Sequence, residues 1–208
     1  MKLRMFALAG VALAALTTSA SASGFYVGFG AGWSHQDPVR ISHASPPLSV
    51  AGKTDGSGVF AGAFGYQFDG YVRLESELAY SSHDISASTG ATGSVATTTE
   101  IINILADIPI YSDWKLSVGA GIGAGSVKAN VVAAPFTVAV GQKTGFAWQA
   151  IGGLTVPVSP QVDLFADYHY RNVELNQGYT SSYLLYNPIV IKGTHENNVV
   201  FGLRWHFG

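Results

Sequence analysis

The sequence predicts an all-β fold, an eight-stranded antiparallel up-and-down transmembrane β-barrel, and three observations carry that expectation. Eight segments alternate in hydrophobicity with the period of two that a strand requires. Short turns alternate with long connections between them. The face opposite the apolar one is made of glycine, alanine and charges of both signs, which suits a narrow lumen better than a solvated surface.

Composition sets the outer limits. At 208 residues the chain is about one domain. Hydrophobic residues make up 48% and charged ones 12%, which excludes a disordered chain. A net charge of −2 offers no electropositive face for a phosphate backbone, so no nucleic acid is expected as a partner. With no cysteine, neither a disulfide nor a thiolate metal site nor a thiol nucleophile is available.

Lys2 and Arg4, the apolar run from Met5 to Leu16 and the ending Ala20-Ser21-Ala22 read as a secretory signal peptide over residues 1–22, cleaved after Ala22. The apolar core is well short of the roughly 20 residues a membrane helix needs. Every later apolar stretch is broken by glycine, proline or charge before that length, so membrane residence has to be by strands. Residues 23–208 are then one barrel exported to the outer membrane.

Each strand follows from its alternation. The first puts Phe25, Val27, Phe29, Ala31 and Trp33 on one side and Tyr26, Gly28, Gly30 and Gly32 on the other. The second sets Phe60, Phe64, Tyr66 and Phe68 against Ala61, Ala63, Gly65 and Gln67. Asp69-Gly70 follows as a hairpin signal, since both positions accept the positive φ of a type I′ turn. The third opposes Val72, Leu74, Leu78 and Tyr80 to Arg73, Glu75, Glu77 and Ala79. The fourth, Thr98 to Ile110, opposes Ile102, Ile104, Ile108 and Ile110 to Asn103, Leu105 and Asp107, and Tyr111-Ser112-Asp113 turns the chain.

In the fifth, Trp114, Leu116, Val118, Ala120 and Ile122 face away from Lys115, Ser117, Gly119, Gly121 and Gly123. The sixth, Gly145 to Val158, carries Phe146, Trp148, Ala150, Leu154 and Val156 against Gln149, Gly153 and Thr155, before the turn Ser159-Pro160-Gln161. The seventh sets Val162, Leu164, Ala166, Tyr168 and Tyr170 against Asp163, Phe165, Asp167, His169 and Arg171. The last sets Val199, Phe201, Leu203, Trp205 and Phe207 against Asn198, Val200, Gly202, Arg204 and His206. Four long connections, about 35–57, 84–97, 127–144 and 176–195, are rich in Ser, Thr, Gly, Ala and Pro and read as surface loops.

Two closed barrels fit such a pattern, a soluble carrier with its apolar face inside or a membrane barrel with that face in lipid. The small residues of the second face decide for lipid outside. On that inner face Arg73, Lys115, Arg171 and Arg204 can pair with Glu75, Glu77, Asp107, Asp163 and Asp167, and His169 lies near Asp167 and Arg171. Closure satisfies every backbone donor and acceptor, as lipid demands. Phe25 to Trp33 rises about 20 Å at a tilt of roughly 40°, near the thickness of the apolar band. Aromatics fall into two rims: Phe25, Phe68, Trp114, Trp205 and Phe207 at the short-turn end, and Trp33, Phe60, Tyr80, Trp148 and Tyr170 at the other.

Four stretches, in their order and spacing, carry a resemblance. They are Gly24-Phe25-Tyr26-Val27-Gly28, Val118-Gly119-Ala120-Gly121-Ile122-Gly123, Asp167-Tyr168-His169-Tyr170-Arg171 and Phe201-Gly202-Leu203-Arg204-Trp205-His206-Phe207. Together the mature chain resembles the opacity-protein family of small outer-membrane β-barrels, related in shape to the OmpA transmembrane domain. The resemblance implies that Phe201, Leu203, Trp205 and Phe207 form the signal read by the barrel assembly machinery, with Gly208 after the final aromatic a departure from the pattern. It also implies a structural or surface-recognition role, adhesin- or antigen-like, through loops that meet a host or neighbouring cell.

Other chemistries are weaker. The glycines from Gly119 to Gly125 belong to an extended strand and not to a nucleotide loop, because no helix follows. His35, His43, His83, His169, His195 and His206 show no zinc spacing, and neither metal nor cofactor is expected. Some eight-stranded barrels modify lipid A with a His and a Ser on one strand. Here His169 is followed two residues on by Arg171, and His43-Ala44-Ser45 falls in a Pro-rich connection, so no enzyme is expected. A narrow ion or small-solute pore is the alternative that the charged lumen raises. Val131, Val132, Phe136, Val138 and Val140, and Tyr179, Tyr183, Leu184, Leu185, Tyr186 and Ile189, are apolar clusters in the third and fourth connections. They form either a contact patch or hairpins packed on themselves.

Overall fold

The computed structural model describes residues 23–37, 39–44, 47–68, 71–86, 92–133, 136–175, 178–179, 189–191 and 193–207. Its strands are β1 (Gly24–Gln36), β2 (Val39–Ala44), β3 (Pro47–Thr54), β4 (Ser57–Gln67), β5 (Val72–Ser86), β6 (Thr92–Tyr111), β7 (Trp114–Ala133), β8 (Phe136–Ser159), β9 (Val162–Glu174), β10 (Gly178–Tyr179), β11 (Ile189–Ile191) and β12 (Gly193–Phe207). Eight of them, β1, β4, β5, β6, β7, β8, β9 and β12, form an antiparallel up-and-down barrel closed by the pairing of β12 with β1. The short turns at 112–113 and 160–161 lie at the end that holds both Gly24 and Phe207, and Ser112 takes a φ of 50° there. Asp69-Gly70, the third expected turn, lies outside the described residues.

The barrel is sheared, and the shear can be read from the ladder. Tyr26 pairs with Gly65, Gly65 with Glu75, Glu75 with Asn103, and Asn103 with Gly121. The path continues through Gln149, Arg171 and Glu196, and it returns to β1 at Gln36. One circuit therefore climbs from Tyr26 to Gln36, a stagger consistent with strands tilted by about 40° in a barrel of this size. Every residue on this path belongs to the inner face, so the helical stripe it traces winds up the lumen.

The outer face is apolar between the two aromatic rims. Leu116 is 37% exposed, Phe64 38% and Trp205 46%, all pointing away from the axis, so the soluble-carrier arrangement does not occur. At the short-turn rim Phe25 stacks on Phe64 with ring centroids 5.5 Å apart and meets Tyr66 edge-on at 4.9 Å. At the opposite rim Trp148 lies 5.6 Å from Tyr170.

Above that second rim the barrel inverts. Along β6 the outward residues change from Ile110, Ile108, Ile104 and Ile102, through the exposed Glu100, to Thr98, Ala96 and Ser94, and along β7 from Leu116, Val118 and Ile122 to Ser126, Lys128 and Asn130. The inward residues there are mixed, with Gln36, His83, Thr97 and Glu196 buried beside apolar side chains. Ile85, Val95, Val127, Ala129, Val131 and Val173 are at most 2% exposed and fill the top of the lumen. The wall of the lipid-spanning part is apolar outside, and above the rim the outer face is polar while the lumen holds both apolar and polar side chains.

This inversion corrects the connections expected from the sequence. Most of 84–97 and 127–144 is strand, because β5, β6, β7 and β8 continue as long hairpins beyond the membrane. The first connection contains the β2–β3 hairpin, and β11 of the fourth pairs with β2, joining the two into one small sheet that meets β5 through Lys53 and Thr54. Within the third-connection cluster Val131 is buried while Val132 and Val140 are exposed, so strand alternation divides it instead of gathering it into one patch. Side chains of Phe136 and Val138, and the whole of residues 1–22, 183–186 and Gly208, lie outside what is described.

Candidate functional site

The lumen holds the chemistry-bearing side chains, and the alternation of each strand aims them there. On β5, Arg73, Glu75 and Glu77 are inward at successive rungs and all buried. Arg73 sits between two carboxylates: Nη1 donates to Glu75 Oε2 at 2.8 Å, and Nε lies 3.0 Å from Asp107 Oδ2. Tyr26, the one bulky inward residue in the glycine-rich face of β1, donates its hydroxyl to the same Glu75 oxygen at 2.6 Å. Ser117 donates to Asp107 at 2.7 Å and meets Thr155 at 3.1 Å. Charges removed from water cost several kcal/mol unless paired and hydrogen-bonded, and this cluster supplies both.

A second cluster stands above the first. Arg171 Nη2 donates to Glu77 Oε1 at 2.7 Å, and its Nε donates to Gln149 Oε1 at 3.0 Å. Gln149 in turn donates to Asn103 Oδ1 at 3.0 Å, and Asn103 donates to Glu75 Oε1 at 3.2 Å, which joins the two clusters. Arg171 Nη1 is 4.0 Å from Glu196, whose other oxygen accepts from Ser81 at 2.9 Å. His169 Nδ1 is 3.6 Å from Glu77 Oε2.

At the short-turn end Asp163 binds His206 at 2.9 Å and Arg204 at 3.5 Å, and the Arg204 guanidinium packs on the rings of Tyr26 and Phe165. Such stacking over an aromatic face is favourable to a guanidinium held out of water. Of the ten interior residues singled out from the sequence, Arg73, Glu75, Glu77, Asp107, Asp163, Asp167, His169, Arg171 and Arg204 are buried in the lumen. Lys115 departs from them: it is half-buried at the short-turn end and joins none of the ion pairs above. Asp167 is buried beside Gly153 and makes none of those pairs either.

Sequence reasoning missed the neutral and terminal members, Tyr26, Asn103, Ser117, Gln149, Glu196 and His206. Parity assigns most of them to the inner face, and only the register shows which of them touch. The cavity left among Tyr26, Arg73, Glu77, Asp167, His169 and Arg204 measures about 20 Å³, the room of one water molecule. With buried Val95, Val127, His83 and Thr97 above it, the described part of the lumen is a packed interior. Phe201, Leu203, Trp205 and Phe207 lie on the outer face of β12, and Tyr179, in β10, pairs through its backbone with Ile189 of β11.

A closed barrel with a lipid-facing apolar belt, two aromatic rims and ion pairs confined to its axis defines a small membrane β-barrel. The chain belongs to the outer membrane protein beta-barrel domain family, whose model matches residues 5–207. Its place is therefore the outer membrane. No curated protein matches the chain in sequence. Among solved structures it is similar to AlkL, at 11% identity and a TM-score of 0.57, covering 92% of this chain and 94% of that one. It is similar to Neisserial surface protein A at 17% identity and 0.55, with 90% and 100% covered. It is also similar to OprG from Pseudomonas aeruginosa at 11% and 0.54, with 88% and 96% covered. At these identities the likeness is one of fold.

Proposed function

We propose that the chain is an opacity-like barrel whose work is surface recognition, carried out by the strand extensions and connections beyond the membrane on a scaffold that transports nothing. The observation that carries this reading is the filled lumen: among the described residues, the cavity between the charged side chains measures about 20 Å³, and the side chains above it, among them Val95, Val127, His83 and Thr97, are buried. The long hairpins of β5–β8 and the sheet built from β2, β3, β10 and β11 are then the parts free to meet a ligand on a host or neighbouring cell. Deleting 179–189 and measuring adhesion and autoaggregation tests it; unchanged adhesion with a folded barrel assigns that segment a structural role only.

The pore reading stands against this packing. Planar-bilayer recordings of the folded protein should be silent, and discrete conductance steps would revive the pore. A lipid A hydrolase needs its imidazole at the lipid surface, whereas His169 is buried against Glu77. Maturation follows the same scheme, with the signal peptide removed after Ala22, which N-terminal sequencing of the membrane-embedded protein checks. The outward row Phe201, Leu203, Trp205 and Phe207 serves as the terminal signal for the barrel assembly machinery.

A further inference from the structure

Among the described residues Asp167 is the buried lumen carboxylate that joins no ion pair, and its Oδ1 has no hydrogen-bond partner in the protein. The same is true of Arg73 Nη2 and of both ring nitrogens of His169, whose Nδ1 stays 3.6 Å from Glu77, beyond hydrogen-bond reach. Polar groups held out of water in this state are costly. All three residues line one space, the lumen cavity of about 20 Å³. The local sequence makes that room: β1 and β4 turn Gly28, Gly30, Ala61 and Ala63 towards it, so the wall there carries almost no side-chain bulk, while β5 and β9 bring the polar groups.

Size and charge narrow the occupant. A space of this volume takes about one water-sized sphere, which excludes hydrated ions and organic ligands. Arg73 and Arg204 on its lining repel a bare metal cation, and Glu75, Glu77 and Asp167 repel an anion. A neutral molecule that both donates and accepts is what the lining suits. Water accepting from Arg73 Nη2, donating to the Asp167 carboxylate and meeting a His169 ring nitrogen makes the three bonds usual for a buried water. We propose that this cavity is a structural water site whose single occupant ties Asp167 and His169 of β9 to Arg73 of β5 across the lumen. The carboxylate that the ion pairs leave over enters the network through that bridge.

Crystals of the full folded barrel, grown once from sodium chloride and once from rubidium chloride and diffracting far enough to resolve waters, test the site directly. One density peak is expected in both, within about 3.2 Å of Arg73 Nη2 and of an Asp167 carboxylate oxygen, with no anomalous signal from rubidium. A rubidium peak makes it a cation site, and an absent peak makes it dry; either overturns the proposal. A variant asks the same question in lipid. A β-carbon on Gly28 would meet Ala63 Cβ at 3.6 Å, an ordinary contact, so Gly28→Ala fits the wall and sends its methyl into the cavity. Displacing the water should lower the urea unfolding midpoint, and by less in an Asp167→Ala background, where no carboxylate is left to strand. An unchanged or raised midpoint means that the methyl filled dry space, and an equal fall in both backgrounds means that Asp167 is not the water's partner; each outcome defeats the proposal.

Discussion

The phenol of Tyr26 occupies the space that a β-carbon on Gly65, its direct partner across the β1–β4 ladder, would require. Only a glycine there lets the ring cross the lumen and reach Glu75. Gly65→Val should therefore destabilise the barrel by roughly 1–3 kcal/mol through overpacking. Urea unfolding in lipid vesicles checks this. The double variant Tyr26→Ala/Gly65→Val should be less destabilised than the sum of the two single changes, since each relieves the other.

Arg73 neutralises two carboxylates at once. Replacing it with Met leaves Glu75 and Asp107 buried without the cation that bridges them, at a cost of about 3–5 kcal/mol. Arg73→Met/Glu75→Gln/Asp107→Asn removes the stranded charges and should recover much of that loss. Equal unfolding midpoints for the single and triple variants would show that the ion pairs do not carry the stability of this layer.

The two zones of the outer wall make opposite predictions for the same change on neighbouring strands. Ile104→Arg puts a guanidinium in the lipid belt and should cost about 2–4 kcal/mol. Asn130→Arg, above the rim, should change stability by less than about 0.5 kcal/mol. Vesicle unfolding distinguishes the two, and similar penalties at both sites would place the membrane boundary elsewhere.

His83, above the rim, is fully buried. Burial holds its imidazole below the usual histidine range, against the opposing pull of Glu196, the Ser34 backbone and Asp84 and with a push from His35. The folded barrel therefore prefers the neutral ring, whereas the unfolded chain takes up a proton below about pH 6.5. Stability from this group is present above that pH, falls as pH drops through it, and levels off below the folded value. Urea midpoints at pH 7.5 and pH 5 should differ more for the parent than for His83→Gln.

Faces were legible in the sequence because a period of two survives any uncertainty about where a strand ends. Arg73, Asp107 and Arg171 could be assigned inward from their neighbours alone. Partnerships were not legible: that Gln149 bridges Arg171 to Asn103 depends on the stagger between β9, β8, β7 and β6, which no single segment encodes. The upper halves of β6, β7 and β8 were read as connections because Thr, Ser, Gly and Ala give little hydropathic contrast and the contrast that remains has the reversed sign. Glu196 escaped notice for a related reason, lying at the margin of the stretch read as the fourth connection.

The reversal of sidedness at the upper rim also fixes how deep the protein can sit. Sinking by two residues would drown the hydroxyls of Thr98 and Ser126 in hydrocarbon, and rising by the same step would wet Ile102 and Ile122. The wall carries its own waterline, so its depth is set by the chain itself and does not need a neighbour to hold it.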